Sequence, residues 1–215
     1  MIQFSQDMST ELREALTKVL YQDPVDTVIA ESFSPQSQFD LLLQMSPLPP
    51  ARVILLALDG LGFHGQYNRP WKCGKGNIYL CMKLETNNVM PAEAWPRLLD
   101  VAPTAIIKTV APHIVDRCTR KPINDVMIEG KKSAGALTHC RNEQNRFCAF
   151  FGIGLNVQFA PECDQPTTCV ADHCLPGTDI DQLWFTLLHD LVHQLTVTFQ
   201  DFASQCQSNA VSQSQ

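Results

Sequence analysis

The chain has 215 residues, 45% of them hydrophobic, and a formal net charge of −6. That length suits one large domain, and that apolar content excludes a disordered chain. An acidic balance argues against a general nucleic-acid binder, and no apolar run approaches the ~20 residues of a membrane span.

The opening "STELREALTKVL" spaces Leu12, Ala15, Leu16, Val19 and Leu20 as one helical face, with Ser9 placed to cap it. "TVIAESF" (27–33) reads as a strand, and Leu41 to Met45 as a short helix closed by the linker "SPLPP". The continuous apolar run "RVILLAL" (52–58) has the length of a buried strand. A long loop follows, "DGLGFHGQYNRPWKCGKGN" (59–77), and loops of that size in compact domains are usually functional. "NIYLCMKL" (77–84) alternates as a half-buried strand should. Residues 92–111 read as helical, with Pro96 and Pro103 starting or breaking segments.

"DVMI" and "KKSAGAL" read as two strands joined at Glu129-Gly130. "RFCAFFGIGLNVQF" (146–159) is a further strand, whose Gly152 and Gly154 could mark a bulge or a close approach to a ligand. Thr178 and Asp181 approximate a capping box for a helix whose apolar stripe runs from Ile180 to Leu195. The remainder, "SQCQSNAVSQSQ", reads as a polar, frayed tail. Strands interleaved with and followed by helices predict an α+β fold. The expected division is one domain over residues 1–200 and a tail over 201–215.

No N-terminal stretch has the charged start and apolar run of a signal peptide. The nine cysteines are therefore expected to be reduced thiols of a cytoplasmic protein. Cys163, Cys169, His173 and Cys174 have metal-ligating side chains, but their spacing differs from paired CxxC knuckles, so no metal site is expected.

Three segments carry potential chemistry: the loop 59–77, the basic region 120–135, and "GIGLN" at 152–156. Glycine lets backbone approach a ligand closely, and lysine or arginine supplies charge for phosphate or carboxylate. In order they read "RPW" then "GNIYLC", "KPIND" then "GKKSAGAL", and "GIGLNV". This series resembles the catalytic domain of biotin–protein ligases, within the wider group that includes lipoate–protein ligases and octanoyl transferases. The family pattern is a GRGRxGRxW loop with a GNLY strand, then KWPND with K-x-AG-I-L, then G-I-G-x-N-V. The resemblance covers roughly residues 27–195.

The resemblance implies a single-domain α+β fold of the class II synthetase or biotin synthetase-like kind, a mixed, largely antiparallel sheet packed with helices. It also implies a two-step reaction. Biotin and ATP give biotinyl-5′-adenylate with Mg²⁺ as cofactor, and biotin then passes to a lysine of a biotin carboxyl carrier domain. Lys121 matches the family's essential lysine and Arg69 the last arginine of the loop, the two expected catalytic cations. Trp71 matches the tryptophan that closes over the adenylate. Asn124 and Asp125 match the Asn-Asp pair. Lys132, Gly135, Gly154 and Asn156 match positions lining biotin or nucleotide. Ser34 and Gln36 fall at the biotin-site turn, and Gly65, Gln66 and Asn77 complete the expected binding set.

The sequence also departs from the pattern. Gln66 stands where an arginine touches biotin and phosphate, Phe63 or His64 replaces another arginine, and Asp59 sits near a usual glutamine. "KPIND" lacks the tryptophan of KWPND, and Ser-Pro-Gln replaces Ser-Thr-Asn. These changes keep two alternatives open: a ligase for lipoate or another acyl acid, and a catalytically impaired paralogue that binds carrier or ligand. With neither a helix-turn-helix domain nor a C-terminal barrel in 215 residues, a monofunctional protein is expected, monomeric or homodimeric, without nucleic-acid or membrane partners.

Overall fold

The computed structural model describes residues 1–21, 27–45, 52–143 and 145–212. Eight strands form one mixed sheet: β1 (Ile2–Phe4), β2 (Thr27–Glu31), β3 (Val53–Ala57), β4 (Ile78–Thr86), β5 (Cys118–Lys121), β6 (Asp125–Ile128), β7 (Lys131–Glu143) and β8 (Arg146–Leu155). Their order across the sheet is β1-β2-β3-β4-β8-β7-β6-β5. The β1–β2 and β2–β3 pairs are parallel and every other pair is antiparallel. The expected mixed, largely antiparallel sheet is what forms.

Helices α1 (Thr10–Leu20), α3 (Trp95–Leu98), α4 (Val101–Val110) and α5 (Ile180–Ser212) contribute to the main core on one face. A shorter helix, α2 (Gln38–Gln44), packs on the other, where Phe39 and Leu42 meet Val53, Leu55, Cys81, Cys148 and Phe150. The α1 cap is as expected: the Leu12 amide donates to Ser9 Oγ at 3.2 Å. At the β6–β7 turn Glu129 (φ 48°) and Gly130 (φ 74°) both adopt the left-handed conformation that two-residue hairpin turns require.

Three expectations need correction. Strand β4 is buried on both faces, not one. Ile78, Leu80, Met82 and Leu84 face the helix layer, while Tyr79, Cys81 and Lys83 are equally enclosed on the α2 side. Lys83 tolerates this because it pairs with Glu85, which also binds Arg146. A charge inside a sheet face needs such partners. The cap of α5 is Asp179 instead of Thr178: its Oδ1 accepts the Gln182 amide at 3.0 Å, while the Thr178 hydroxyl donates to the Leu175 carbonyl. Asp181, offered as the reciprocal capping residue, accepts from Gln158 Nε2.

The tail is the third correction. Helix α5 continues through Ser212, and Phe199, Phe202, Ala203 and Cys206 are buried in the main core. Their spacing of three and four residues extends the stripe beyond Leu195. Glutamine and serine between these positions occupy the outer face and disguise it. The linker "SPLPP" lies outside the described residues.

Candidate active site

The sheet face carrying α2 is not filled by that helix. Beside it lies a cavity of about 670 Å³. Its floor is the junction of β4, β7 and β8, and one wall is the start of α2, with Ser37, Gln38 and Phe39. Residues of the 59–77 loop form another side, the β5–β6 connection a third, and the stretch 161–167 a fourth.

The glycines of the floor are explained by what lies on them. Gly135 of β7 and Gly154 of β8 are direct register partners. A Cβ on Gly154 would come within 2.6 Å of Trp71 Cε2, and one on Gly135 within 3.0 Å of Trp71 Cζ3. Gly152 is covered by Phe39 in the same way, at 2.8 Å. Residues two apart in a strand share a face, so Gly152 and Gly154 form a bare strip along β8. The register on both sides of β8 is unbroken, which removes the bulge reading. Two aromatic rings of the protein itself lie on this strip.

The loop is a small hairpin rather than an open arm. Trp71 N–H donates to the Phe63 carbonyl at 2.8 Å and Gly65 N–H to the Arg69 carbonyl at 2.8 Å. Tyr67 (φ 60°) and Asn68 (φ 55°) turn its tip in the left-handed region. His64 ties it to α2, with Nε2 2.9 Å from Asp40 Oδ2. That hydrogen bond holds the imidazole pKa above its ordinary value, against the opposing effect of burial. Lys72 Nζ donates to the Glu162 carbonyl, joining the loop to the 161–167 wall.

Positive charge gathers at the rim. Lys121, Arg69 and Lys72 are exposed and line the cavity. Lys132 is more enclosed: Nζ pairs with Asp125 Oδ1 at 2.7 Å and lies 5.1 Å from the Trp71 ring centre. Such a cation over an indole face is attracted by the ring quadrupole. Asn124 lines the cavity and donates through Nδ2 to the Ala136 carbonyl at 2.7 Å. Asn156 lies buried against it, donating to the Thr168 carbonyl. Gly65 and Gln66 also line the wall.

Three expected residues are elsewhere. Ser34 is buried outside the cavity wall, its hydroxyl donating to the Gln36 carbonyl at 3.0 Å, and Gln36 is exposed. The turn they form leads into α2, and the residues reaching the cavity come just after it. Asn77 is a structural clasp: its Oδ1 accepts the amides of Val157, Gln158 and Phe159. A side chain so committed shapes the β8 exit and does not face the cavity. Asp59, placed near a usual glutamine, accepts the Gly60 amide instead.

Several wall residues escaped the sequence. Gln38 is 3% exposed; Nε2 donates to Glu31 Oε2 at 3.0 Å, and its Oε1 has no hydrogen-bond partner among the described residues. A carboxylate only accepts, so the amide orientation is fixed and Oε1 is the free acceptor. Trp71 Nε1 is likewise buried and unpartnered. Buried polar atoms normally find a partner, so each exception calls for an explanation. The 161–167 stretch carried no periodicity that could have announced it.

Burial pushes the thiol of Cys81, on the floor, well above its ordinary value. Burial, then the Asp59 charge, pushes the Cys73 thiol up to about 12, so it is not a thiolate near neutral pH. Among the described residues no group of three or more His, Cys, Asp or Glu side chains is placed to hold a metal. His173 is occupied by Asp116 and Thr168.

No family model matches the chain. A curated relative, the bifunctional ligase/repressor BirA of Bacillus subtilis, is 27% identical over 114 residues. That match covers 52% of this chain and 34% of the relative, so the matched part spans about a third of its length. Among solved structures, biotin protein ligase from Leishmania major in complex with biotin aligns over 85% of this chain and 81% of that one. Its TM-score is 0.56 at 18% identity. The Aquifex aeolicus biotin protein ligase in complex with biotin and ATP gives 0.53 at 18% identity, covering 79% of this chain and 70% of that one. The structural likeness establishes the fold, and the sequence match points to the same group. The chain has the fold of the biotin protein ligases and is similar in sequence to a bifunctional ligase/repressor over about half its length.

Proposed function

We propose that this domain is a biotin–protein ligase: it joins biotin and ATP as biotinyl-5′-adenylate and passes biotin to a lysine of a biotin carboxyl carrier domain. The observation that carries this reading is one cavity with two characters. Its rim holds Lys121, Arg69 and Lys72, while Phe39, Cys81, Tyr79 and Ala136 are enclosed. A ligand with an apolar body and an anionic end fits such a wall.

Adenylate formation brings a carboxylate oxygen toward the α-phosphate, so like charges must approach. In this reading Lys121 and Arg69, which both line the cavity, offset that repulsion as the transition state forms. Lys132, kept between Asp125 and Trp71, is a pre-oriented cation on the same cavity. Asp125 and Asp164 are the carboxylates on the described wall, and Asp125 is engaged by Lys132. Mg²⁺ therefore fits best as a companion of the nucleotide phosphates, as that ion commonly binds. When present it neutralises phosphate charge.

Gln38, on the cavity wall with an Oε1 that no described group engages, supports biotin over lipoate. Biotin's ureido ring offers N–H donors, and the lipoate dithiolane ring offers none. The test is biotin-dependent exchange of labelled pyrophosphate into ATP. Exchange with biotin and none with lipoate is expected; exchange with lipoate alone overturns the assignment.

A further inference from the structure

Two residues matched to the family site, Lys132 and Asn156, are held by the stretch between β8 and α5. Lys132 N–H donates to the Pro166 carbonyl at 2.9 Å, and its carbonyl accepts the Thr168 amide at 3.0 Å. Asn156 Nδ2 donates to the Thr168 carbonyl at 3.2 Å, and its own carbonyl accepts the Val170 amide at 2.9 Å. Residues 166–168 thus act as a short extra strand beside the start of β7.

Besides these bonds and a 3.3 Å contact from Thr168 Oγ1 to Asp172 Oδ2, the strip is tied by a polar chain of three side chains. Thr168 Oγ1 lies 2.8 Å from His173 Nε2, and His173 Nδ1 lies 2.6 Å from Asp116 Oδ2. The Asp116 carboxylate accepts, so Nδ1 carries a proton. The Val115 amide donates to the His173 carbonyl at 3.0 Å, a second tie to the same connection. Asp116 precedes β5, the strand that ends on Lys121. His173 therefore joins the support of Lys132 and Asn156 to the approach of Lys121.

The connectivity Thr–His–Asp matches that of a nucleophilic triad. Burial decides against that use. Thr168 is 3% exposed and His173 8%, and it is Thr167, not Thr168, that lines the cavity. A hydroxyl that substrate cannot reach serves as a brace.

Resting on the ligase reading, we propose that His173 and Asp116 are positioning residues for adenylate formation. They fix residues 166–168 against β7 and so set Lys132 and Asn156 on the cavity wall that receives biotin or nucleotide. The chemistry of the brace is a buried imidazole anchored by a half-buried carboxylate. Neither residue lines the cavity.

The test pairs hydrogen–deuterium exchange with pyrophosphate-exchange kinetics on the whole chain. His173→Phe keeps the ring and deletes both bonds. Asp116→Ala removes the anchor from a more open position and serves if the first variant folds poorly. Asp116→Asn retains an acceptor for Nδ1. In His173→Phe and Asp116→Ala, exchange over residues 131–134 and 155–157 quickens. KM for biotin or for ATP rises about tenfold, equivalent to ~1.4 kcal/mol, with a smaller change in kcat. Asp116→Asn stays near wild type in both readouts. Quickened exchange with wild-type kinetics, or unchanged exchange, overturns the positioning role. A wild-type chain inert toward biotin overturns the ligase reading itself, whatever the exchange pattern.

Discussion

The indole of Trp71 lies against the backbone of Gly154, so close that a methyl group there would reach 2.6 Å from Cε2. A rigid ring cannot give way as a flexible chain end can. Gly154→Ala is therefore expected to displace Trp71 and to cost about 1–3 kcal/mol, the usual range for overpacking. Denaturant unfolding and the tryptophan emission maximum measure the two effects. Wild-type values for both would show that Trp71 is not seated on the strip.

Lys121 stands at the exposed end of β5, and no ion pair to its ammonium is among the described bridges. Removing it should leave the fold unharmed. Lys121→Ala is expected within about 0.5 kcal/mol of wild-type stability, as for exposed sites generally. Pyrophosphate exchange should nevertheless fall by about a hundredfold or more, the scale of a lost transition-state charge contact. Full activity in this variant contradicts its assignment.

Gln66 lines the cavity where the related pattern carries an arginine. A charge-assisted contact to phosphate contributes roughly 1.5–3 kcal/mol, so its absence should slow adenylation. Gln66→Arg is expected to raise the exchange rate by about tenfold or more. An unchanged or lower rate would show that the hairpin carries its phosphate contacts on other side chains.

The His64–Asp40 bond predicts a pH dependence with a definite sign. Its folded-state pKa is raised, chiefly by the Asp40 hydrogen bond. The stabilisation is fully present below the unfolded value, about 6.5, and is lost as pH rises through the higher folded value. The melting-temperature advantage of wild type over His64→Phe should therefore shrink between acid and alkaline conditions. An advantage that grows with pH would contradict the pairing.

Much of the fold was legible because burial leaves period-two and helical patterns in the residues themselves. Strand β3, the Glu129-Gly130 turn and the α1 cap follow from local chemistry that needs no partner. Lys83 was unreadable, since nothing local tells that Glu85 and Arg146 will shield it. The end of α5 was hidden by polar residues on its outer face. At the site, Trp71, Lys132 and Gly154 were marked by the motif resemblance, and the structure brings all three together. Gln38 and the 161–167 stretch were not marked, because their positions depend on strands distant in sequence. Ser34 and Asn77 have side chains suited to ligands, and only the geometry shows them bound to their own backbone.

The alternatives of another acyl acid or an inactive relative separate cleanly from the ligase reading in one measurement. A biotin carboxyl carrier domain is incubated with this protein, Mg-ATP and biotin, and its intact mass is recorded. The account predicts a gain of one biotinyl group, abolished by Lys121→Ala. An unchanged mass, with the same carrier modified by a known biotin ligase, would contradict it.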